Sequence, residues 1–449
     1  MRRQLIIITT LTAIAQGAGF LKLWLTARLF GVGPELDGYY LALVMPTFVS
    51  GTLSGLLQTA LFPVRARLAA GGDQQKVARF ERGVIVVLLG FGLAISASIL
   101  LAGSFIITGT GGSIAPPVLS AAGFVLPFAA LLVPLNGVGD GLGYLLAMRD
   151  RYSIAAAAPI ANALLGAAML AAWPEGGLFN LALGTVAGVA LQVAICAWAL
   201  ARTGFVFFAD LPAWAEFSAE WREMFRLAAW IVPGVVFANL TATLPTVLIA
   251  PYGEGAVSAF GYAWRLHQYA IQLLVMAASP VLLARFSQLV AAGNERAIRR
   301  LLRKATWLSC GLGVLAVGGV ALLGEPLLTS VFSSQFDATA AALVADHWLW
   351  LTVALGPAIL GIVFAKVWQA RGRSGLMSLL AGVGLAVLLL SHAILARWLG
   401  PHSVAAAIGL SSIAVLVAGW RTAFQGNETA RAAARRPSFL SLFNLGRFK

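Results

Sequence analysis

Residues 83–107 decide the fold, and they read GVIVVLLGFGLAISASILLAGSFII. This stretch of 25 residues contains no charged side chain. A helix that crosses the hydrocarbon core of a bilayer needs about 20 mostly apolar residues. We therefore expect residues 83–107 to form a transmembrane helix, and apolar runs of similar length recur along the whole chain.

The composition excludes a soluble protein. The chain has 449 residues, of which 60% are hydrophobic and only 11% are charged, and its mean hydropathy is +0.87. Soluble domains carry about 25% charged residues. The sequence predicts an all-α polytopic membrane protein with about twelve transmembrane helices, although eleven or thirteen remain open. The expected spans are 4–29, 38–63, 83–107, 117–147, 154–173, 177–201, 226–250, 257–284, 305–323, 341–369, 375–396 and 402–420.

The charges predict an orientation. Loops rich in arginine and lysine face the cytoplasm. The basic residues concentrate in every second connection, and they include Arg65, Arg67, Lys76, Arg79, Arg82, Arg149, Arg151, Arg202, Arg285, Arg299, Arg300, Arg371 and Arg373. The other connections are mainly acidic, with Glu35, Asp37, Glu175, Glu254, Glu325 and Asp337. Both termini are therefore expected in the cytoplasm.

The net charge of +14 does not predict nucleic-acid binding. The basic residues lie in short loops between apolar runs, as membrane orientation requires, instead of on one face of a soluble domain. The basic segments 72–82 and 292–304 are expected to form short amphipathic helices on the cytoplasmic surface, where they would attract anionic phospholipids.

The two halves of the chain resemble each other. Residues 39–71 and 262–293 each contain an apolar span, a proline near its end, an Ala-Ala-Gly sequence and a following basic segment. Chance similarity between apolar helices is the alternative. A true repeat predicts two parallel-repeat six-helix bundles with a transport site at their interface. The expected division is 1–201 for the N-terminal bundle, 202–225 for a cytoplasmic linker, 226–421 for the C-terminal bundle and 422–449 for a basic cytoplasmic tail.

Charged side chains inside spans are costly and usually functional. Lys22 shares a face of the first span with small and polar residues, so we expect it in a cavity wall, with snorkelling to the interface as the alternative. Arg265 in the eighth span is the strongest candidate, because a guanidinium binds phosphate through two parallel hydrogen bonds. Its alternative role is a structural ion pair. Arg28, at the outer mouth of the first span, is a further candidate for substrate binding. Asp140 in the fourth span could bind a coupling ion or pair with a cation from a neighbouring helix.

No enzyme motif is present. The sequence contains no P-loop, no HExxH and no GxSxG. Its two cysteines, Cys196 and Cys310, lie in separate apolar runs without the spacing of metal ligands. We expect a protein that is not an enzyme and needs no cofactor or metal. Transport would then draw on the membrane potential, a monovalent ion or substrate synthesis.

Several motifs carry a resemblance to a known family. They are Gly19-Phe20-Leu21-Lys22, Ala27-Arg28-Leu29-Phe30-Gly31-Val32-Gly33, Asp37-Gly38-Tyr39-Tyr40-Leu41-Ala42, Pro46, Phe62-Pro63, Tyr262-Ala263-Trp264-Arg265-Leu266, Leu355-Gly356-Pro357-Ala358 and Ala370-Arg371. In these motifs the sequence resembles the MurJ/MviN family of lipid II flippases in the bacterial inner membrane.

The resemblance implies a V-shaped exporter fold of the multidrug/oligosaccharidyl-lipid/polysaccharide superfamily and alternating access. It also implies a cationic cavity for a polyprenyl-diphosphate-linked glycan. Arg265 matches a cavity arginine, Lys22 stands where the family usually has arginine, and Asp37 matches an acidic residue near the outer gate.

The chain also departs from the family pattern. Gln16 replaces a common cavity arginine, the segment after Pro46 lacks a basic pair, and we count about twelve spans where lipid II flippases have fourteen. A different polyprenyl-linked glycan therefore stays open as the substrate. The alternatives are a cation-coupled drug exporter of the same fold, and a non-transporting scaffold that binds envelope-synthesis proteins.

Overall fold

The computed structural model describes residues 2–109, 114–209, 214–276, 279–332 and 336–424. Within these ranges the chain forms α-helices and short 3₁₀ or π turns, without strands. The helices are α1 (Arg2–Phe30), α2 (Pro34–Ala70), α3 (Gln74–Gly109), α4 (Pro116–Ala147), α5 (Tyr152–Ala172), α6 (Gly177–Ala201), α7 (Ser218–Ile249), α8 (Ala256–Ile271), α9 (Ser279–Ala291), α10 (Glu295–Phe332), α11 (Ala338–Val353), α12 (Leu355–Ala370), α13 (Ser374–Leu399) and α14 (His402–Phe424).

Among the described residues, every expected span is occupied almost entirely by helix or by a short π turn. Two expected spans are each divided: a π turn at Gln272–Met276 follows α8, and a bend of 44° separates α11 from α12. Among the described residues, nine helices are long and apolar enough to cross a membrane, and the bent pair raises this number to ten. The protein is thus an all-α multi-pass membrane protein, whereas the count of about twelve is not confirmed.

Two expected spans fall outside that set, and both carry a candidate site residue. They are α1, which contains Lys22, and the α8–α9 segment, which contains Arg265. In α8, Arg265 and its polar neighbours His267 and Gln268 interrupt the apolar sequence. Polar side chains inside a span suit a position facing protein or a cavity better than one facing lipid.

The expectation of short surface helices at 72–82 and 292–304 was wrong. Most of the first segment belongs to the opening turns of α3, and most of the second to those of α10. Each of these long helices begins after a glycine with positive φ and a polar capping residue. In the first, the Lys76 N–H donates to the Asp73 carboxylate over 2.9 Å. In the second, the Ala297 N–H donates to the Asn294 side chain over 3.0 Å.

A similar ion pair occurs in both halves of the chain. Glu81 of α3 is fully buried and binds Arg149, which follows α4, as well as Arg65. Glu295, the first residue of α10, binds Arg371, which follows α12, over 2.7 Å. The matching pairs are what an internal repeat would produce. The division at 202–225 stays a prediction. Residues 422–424 of the expected tail form the end of α14, and the rest of the tail, from 425 onward, lies outside the described residues.

Helix α7 connects the two halves. It packs against α2 from the first half and α13 from the second. Its first turns and Phe217, the residue just before them, lie against the start of α3, where Phe217 and Trp221 are buried beside Phe80. Three ion pairs surround these rings, namely Arg67–Glu223, Lys76–Glu220 and Arg79–Glu216.

Candidate functional site

Arg265 points from α8 toward α2 in the other half of the chain. Its guanidinium carbon lies 4.7 Å from the centre of the Tyr40 ring, a distance typical of a cation–π contact. Tyr39, Tyr262 and Tyr269 are also near enough to interact with it electrostatically. The side chain is half-buried. Arg265 therefore lies among tyrosines between the halves.

Lys22 is connected to Tyr39 through Thr185. Its Nζ donates to Thr185 Oγ1 of α6 over 2.9 Å, and Thr185 Oγ1 lies 2.8 Å from the Tyr39 hydroxyl. The stem of Lys22 packs on Gly166 of α5, where an added Cβ would lie 3.0 Å from Lys22 Cε. The lysine is thus held in a fixed position instead of extending toward an interface.

The two cations share one environment. Tyr39 and Tyr40 are consecutive on α2, with ring centres 5.4 Å apart. Tyr39 contacts Thr185, which binds Lys22, and Tyr40 contacts Arg265. Lys22 and Arg265 are close enough to repel each other. In the part of the chain that the structure describes, neither forms an ion pair. Two unpaired cations at one place leave positive charge available for an anionic ligand.

Asp37 joins the two halves near this site. The carboxylate is fully buried. It accepts the backbone N–H of Gly255 and the backbone N–H of Ser258, each over 2.6 Å. Gly255 has φ +85°, a conformation that suits glycine. Asp37 of α2 therefore caps the N-terminus of α8, where the exposed N–H groups and the helix dipole favour a negative charge.

Further contacts close the same end of the molecule. The Tyr262 hydroxyl donates to the Gly31 carbonyl over 3.0 Å, and the Gly33 N–H donates to the Ser258 hydroxyl over 3.2 Å. We call the contacts of Asp37 with Gly255 and Ser258, together with these two, the latch. Two other bonds lie between α1 and the second half: Gln16 to Gln272 over 2.7 Å, and the Trp24 indole to the Val331 carbonyl over 2.7 Å.

Comparison with known proteins identifies the family. A profile described as "Lipid II flippase MurJ" matches residues 26–442, which is most of the chain. The chain belongs to the MurJ family. A relative from Rhizobium meliloti (strain 1021), described as a probable lipid II flippase MurJ, is 26% identical over 416 residues, which cover 90% of this chain and 75% of the relative.

Solved structures confirm the exporter fold. The structure of the lipid II flippase MurJ in an inward closed conformation matches with a TM-score of 0.79 and 15% identity, covering 99% of this chain and 94% of that one. An inward-facing multidrug transporter of the MATE family matches with a TM-score of 0.69 and 16% identity over 96% of each chain. The resemblance read from the sequence motifs is thereby confirmed.

In this MurJ family member, the other two candidate residues, Arg28 and Asp140, do not contact Lys22 or Arg265. Arg28 is exposed and lies over the Trp24 ring, with 4.9 Å to the ring centre. Asp140 lies on α4, close to Ser54 of α2. Asp140 has no ion pair among the described residues. The roles of both residues stay predictions.

Sequence reasoning missed the partners that hold the cations. Thr185 and Tyr269 carry no signal of their own, because single hydroxyl groups in apolar helices are common. The Gln16–Gln272 bond was missed for the same reason. The consecutive pair Tyr39-Tyr40 directly after Asp37 was visible, and its position inside a span could have marked it as part of a polar wall.

Proposed function

We propose that this chain moves a polyprenyl-diphosphate-linked glycan, such as lipid II, from the cytoplasmic to the periplasmic leaflet of the bacterial inner membrane. The observation that carries the proposal is that Lys22 and Arg265 lie close together beside the junction of the two halves, and that neither forms an ion pair with a described residue. Membership of the lipid II flippase family supports the same substrate class.

The chemistry of the site suits a diphosphate. Arginine binds phosphate oxygens through a rigid pair of N–H donors, and lysine adds a compact point charge. At about 4 Å and an effective dielectric constant of about 20, one pair of unit charges attracts with about 4 kcal/mol. The surrounding tyrosine hydroxyls add donors for sugar or phosphate oxygens. A cationic drug would be repelled here, which disfavours the drug-exporter alternative.

The motion we propose is alternating access between the bundles 1–201 and 226–421, with both termini in the cytoplasm. The latch would then close the periplasmic end, and the ion pairs around Phe217 would lie at the cytoplasmic end beside anionic phospholipids. The energy source would be the membrane potential or a monovalent ion. Envelope-synthesis proteins are the expected partners.

The test is a flipping assay in proteoliposomes with a fluorescent undecaprenyl-diphosphate-linked glycan. We expect Arg265→Ala to reduce the rate about 10- to 100-fold, because hydrogen bonds to a charged group contribute about 1.5–3 kcal/mol. Arg397→Ala is the matched control, since Arg397 is an exposed arginine in the last turn of α13. Equal rates for Arg265→Ala and the wild type would show that the site is wrong.

A further inference from the structure

His347 of α11 is a buried histidine without a hydrogen-bond partner. Its side chain is 0% exposed, and neither ring nitrogen is bonded to any described residue. Its ring meets the Phe260 ring of α8 edge to face, with 6.1 Å between centres. Buried polar groups are nearly always satisfied, so an imidazole with two unused nitrogens calls for a function.

A second histidine lies directly beside it. The ring of His402, the first residue of α14, is centred 5.3 Å from that of His347, and its Nδ1 is likewise without a partner among the described residues. His402 is half-buried, so it lies nearer to the protein surface than His347.

The histidines are concentrated at this place. The chain has four. The third, His392, shares Ser403 with Tyr252: the His392 Nδ1 lies 3.1 Å and the Tyr252 hydroxyl 3.4 Å from the Ser403 Oγ. Tyr252 lies three residues before Gly255, so the cluster belongs to the latch end of the molecule.

The other charged groups of the surrounding helices do not contact the pair of His347 and His402. Helix α11, which carries His347, packs against α8, α10, α12 and α14. The nearby titratable and charged groups on these helices and on α11 contact other residues or are exposed. On α8, Arg265 lies over Tyr40, Tyr262 bonds to Gly31, Tyr269 lies by Arg265 and His267 stacks on Trp264. On the other helices, Lys366 bonds to Gln369, and Glu325, Asp346 and Arg421 are exposed. The group whose charge acts on His347 is His402.

We propose that His347 and His402 form a proton-binding site whose occupancy controls the opening of the latch. Histidine is the side chain that changes charge between about pH 5 and pH 8. In the arrangement seen here, burial and the neighbouring His402 both disfavour a charged His347 ring, whereas an imidazole that reaches water can take up a proton. The proton would be the coupling ion of transport, and this role rests on the proposed function. Proton binding by the two histidines does not depend on it.

The contacts link this site to the latch. Phe260, which touches His347, lies on α8 between the Asp37-bound N–H of Ser258 and Arg265. A cation in this apolar contact needs water, and water reaches it most readily when the latch end opens. The neutral pair therefore favours the closed latch, and the protonated pair favours the open one.

The experiment measures the latch without any lipid substrate. Spin labels go on Glu35→Cys and Glu254→Cys, two exposed positions on either side of the latch, in a chain that also carries Cys196→Ala and Cys310→Ser. Distances are measured by double electron–electron resonance in detergent from about pH 8 to about pH 5. We expect the distance to lengthen on acidification in the otherwise unchanged chain.

The histidine variants decide the assignment. His347→Phe keeps an aromatic ring against Phe260, and we expect it to abolish the pH-dependent lengthening. If His347→Phe does not fold, His402→Phe serves as the second variant. His267→Phe is the matched control, because His267 is another buried histidine, on α8. We expect this variant to keep the pH-dependent lengthening.

A distance that does not respond to pH, or a response retained in both His347→Phe and His402→Phe, overturns the proposal. Because no substrate is present, this outcome is independent of the flipping assay on Arg265.

Discussion

Lys22 owes its position to a glycine on the neighbouring helix. A Cβ at Gly166 would lie 3.0 Å from Lys22 Cε and 3.1 Å from its Nζ. We expect Gly166→Ala to displace the ammonium group from Thr185 and to lower the rate in the flipping assay severalfold. The substitution raises helix propensity by about 1 kcal/mol, so lost transport would not reflect a weakened α5.

The control for this prediction is Gly143→Ala in α4. Gly143 is also a helical glycine, and an added Cβ there meets no atom within 4 Å. Its gain in helix propensity is the same, but it leaves Lys22 untouched. Equal transport rates for the two alanine variants would contradict the proposed role of Lys22.

At the residue scale, the sequence predicted which side chains are unusual but not what they contact. Lys22 and Arg28 lie six residues apart on α1, on different faces of the helix. Only Lys22 turns toward Thr185, while Arg28 lies exposed over Trp24. Thr185 is 163 residues from Lys22 in sequence. Spacing within one helix cannot show which distant helix will pack against it.

At the scale of elements, the first turns of α7 are held by an aromatic cluster more than by ion pairs. Phe217 is fully buried against Phe80. We expect Phe217→Ala to cost about 3–5 kcal/mol. Glu220→Lys breaks a half-exposed pair of 3.7 Å and should cost less than about 1 kcal/mol. Thermal unfolding in detergent measures both, and a larger effect of Glu220→Lys would reverse this ranking.

Helix boundaries show why the fold was predictable only in part. The expected spans matched helices because a long apolar run has few other solutions in a bilayer. The sequence placed the start of the seventh span at 226, yet α7 begins at Ser218. Its first turns carry Glu220 and Glu223, so no hydropathy signal marks them. They are helical because Phe80 and the basic side chains of α2 and α3 bind them.

At the scale of the whole molecule, the latch predicts how the halves separate. Asp37 was predicted as a gate residue, but its partners are backbone N–H groups, which have no sequence signature. Asp37→Asn keeps the shape of the side chain, but its single amide oxygen can accept from only one of the two backbone N–H groups. Losing about 1.5–3 kcal/mol should raise the open population about 10- to 100-fold. Thiol labelling of Ala263→Cys, a fully buried position on α8, measures it in a chain with Cys196→Ala and Cys310→Ser. The exposed acid Asp346, changed to Asn, is the control, and equal labelling rates in the two variants would mean that Asp37 does not hold the halves together.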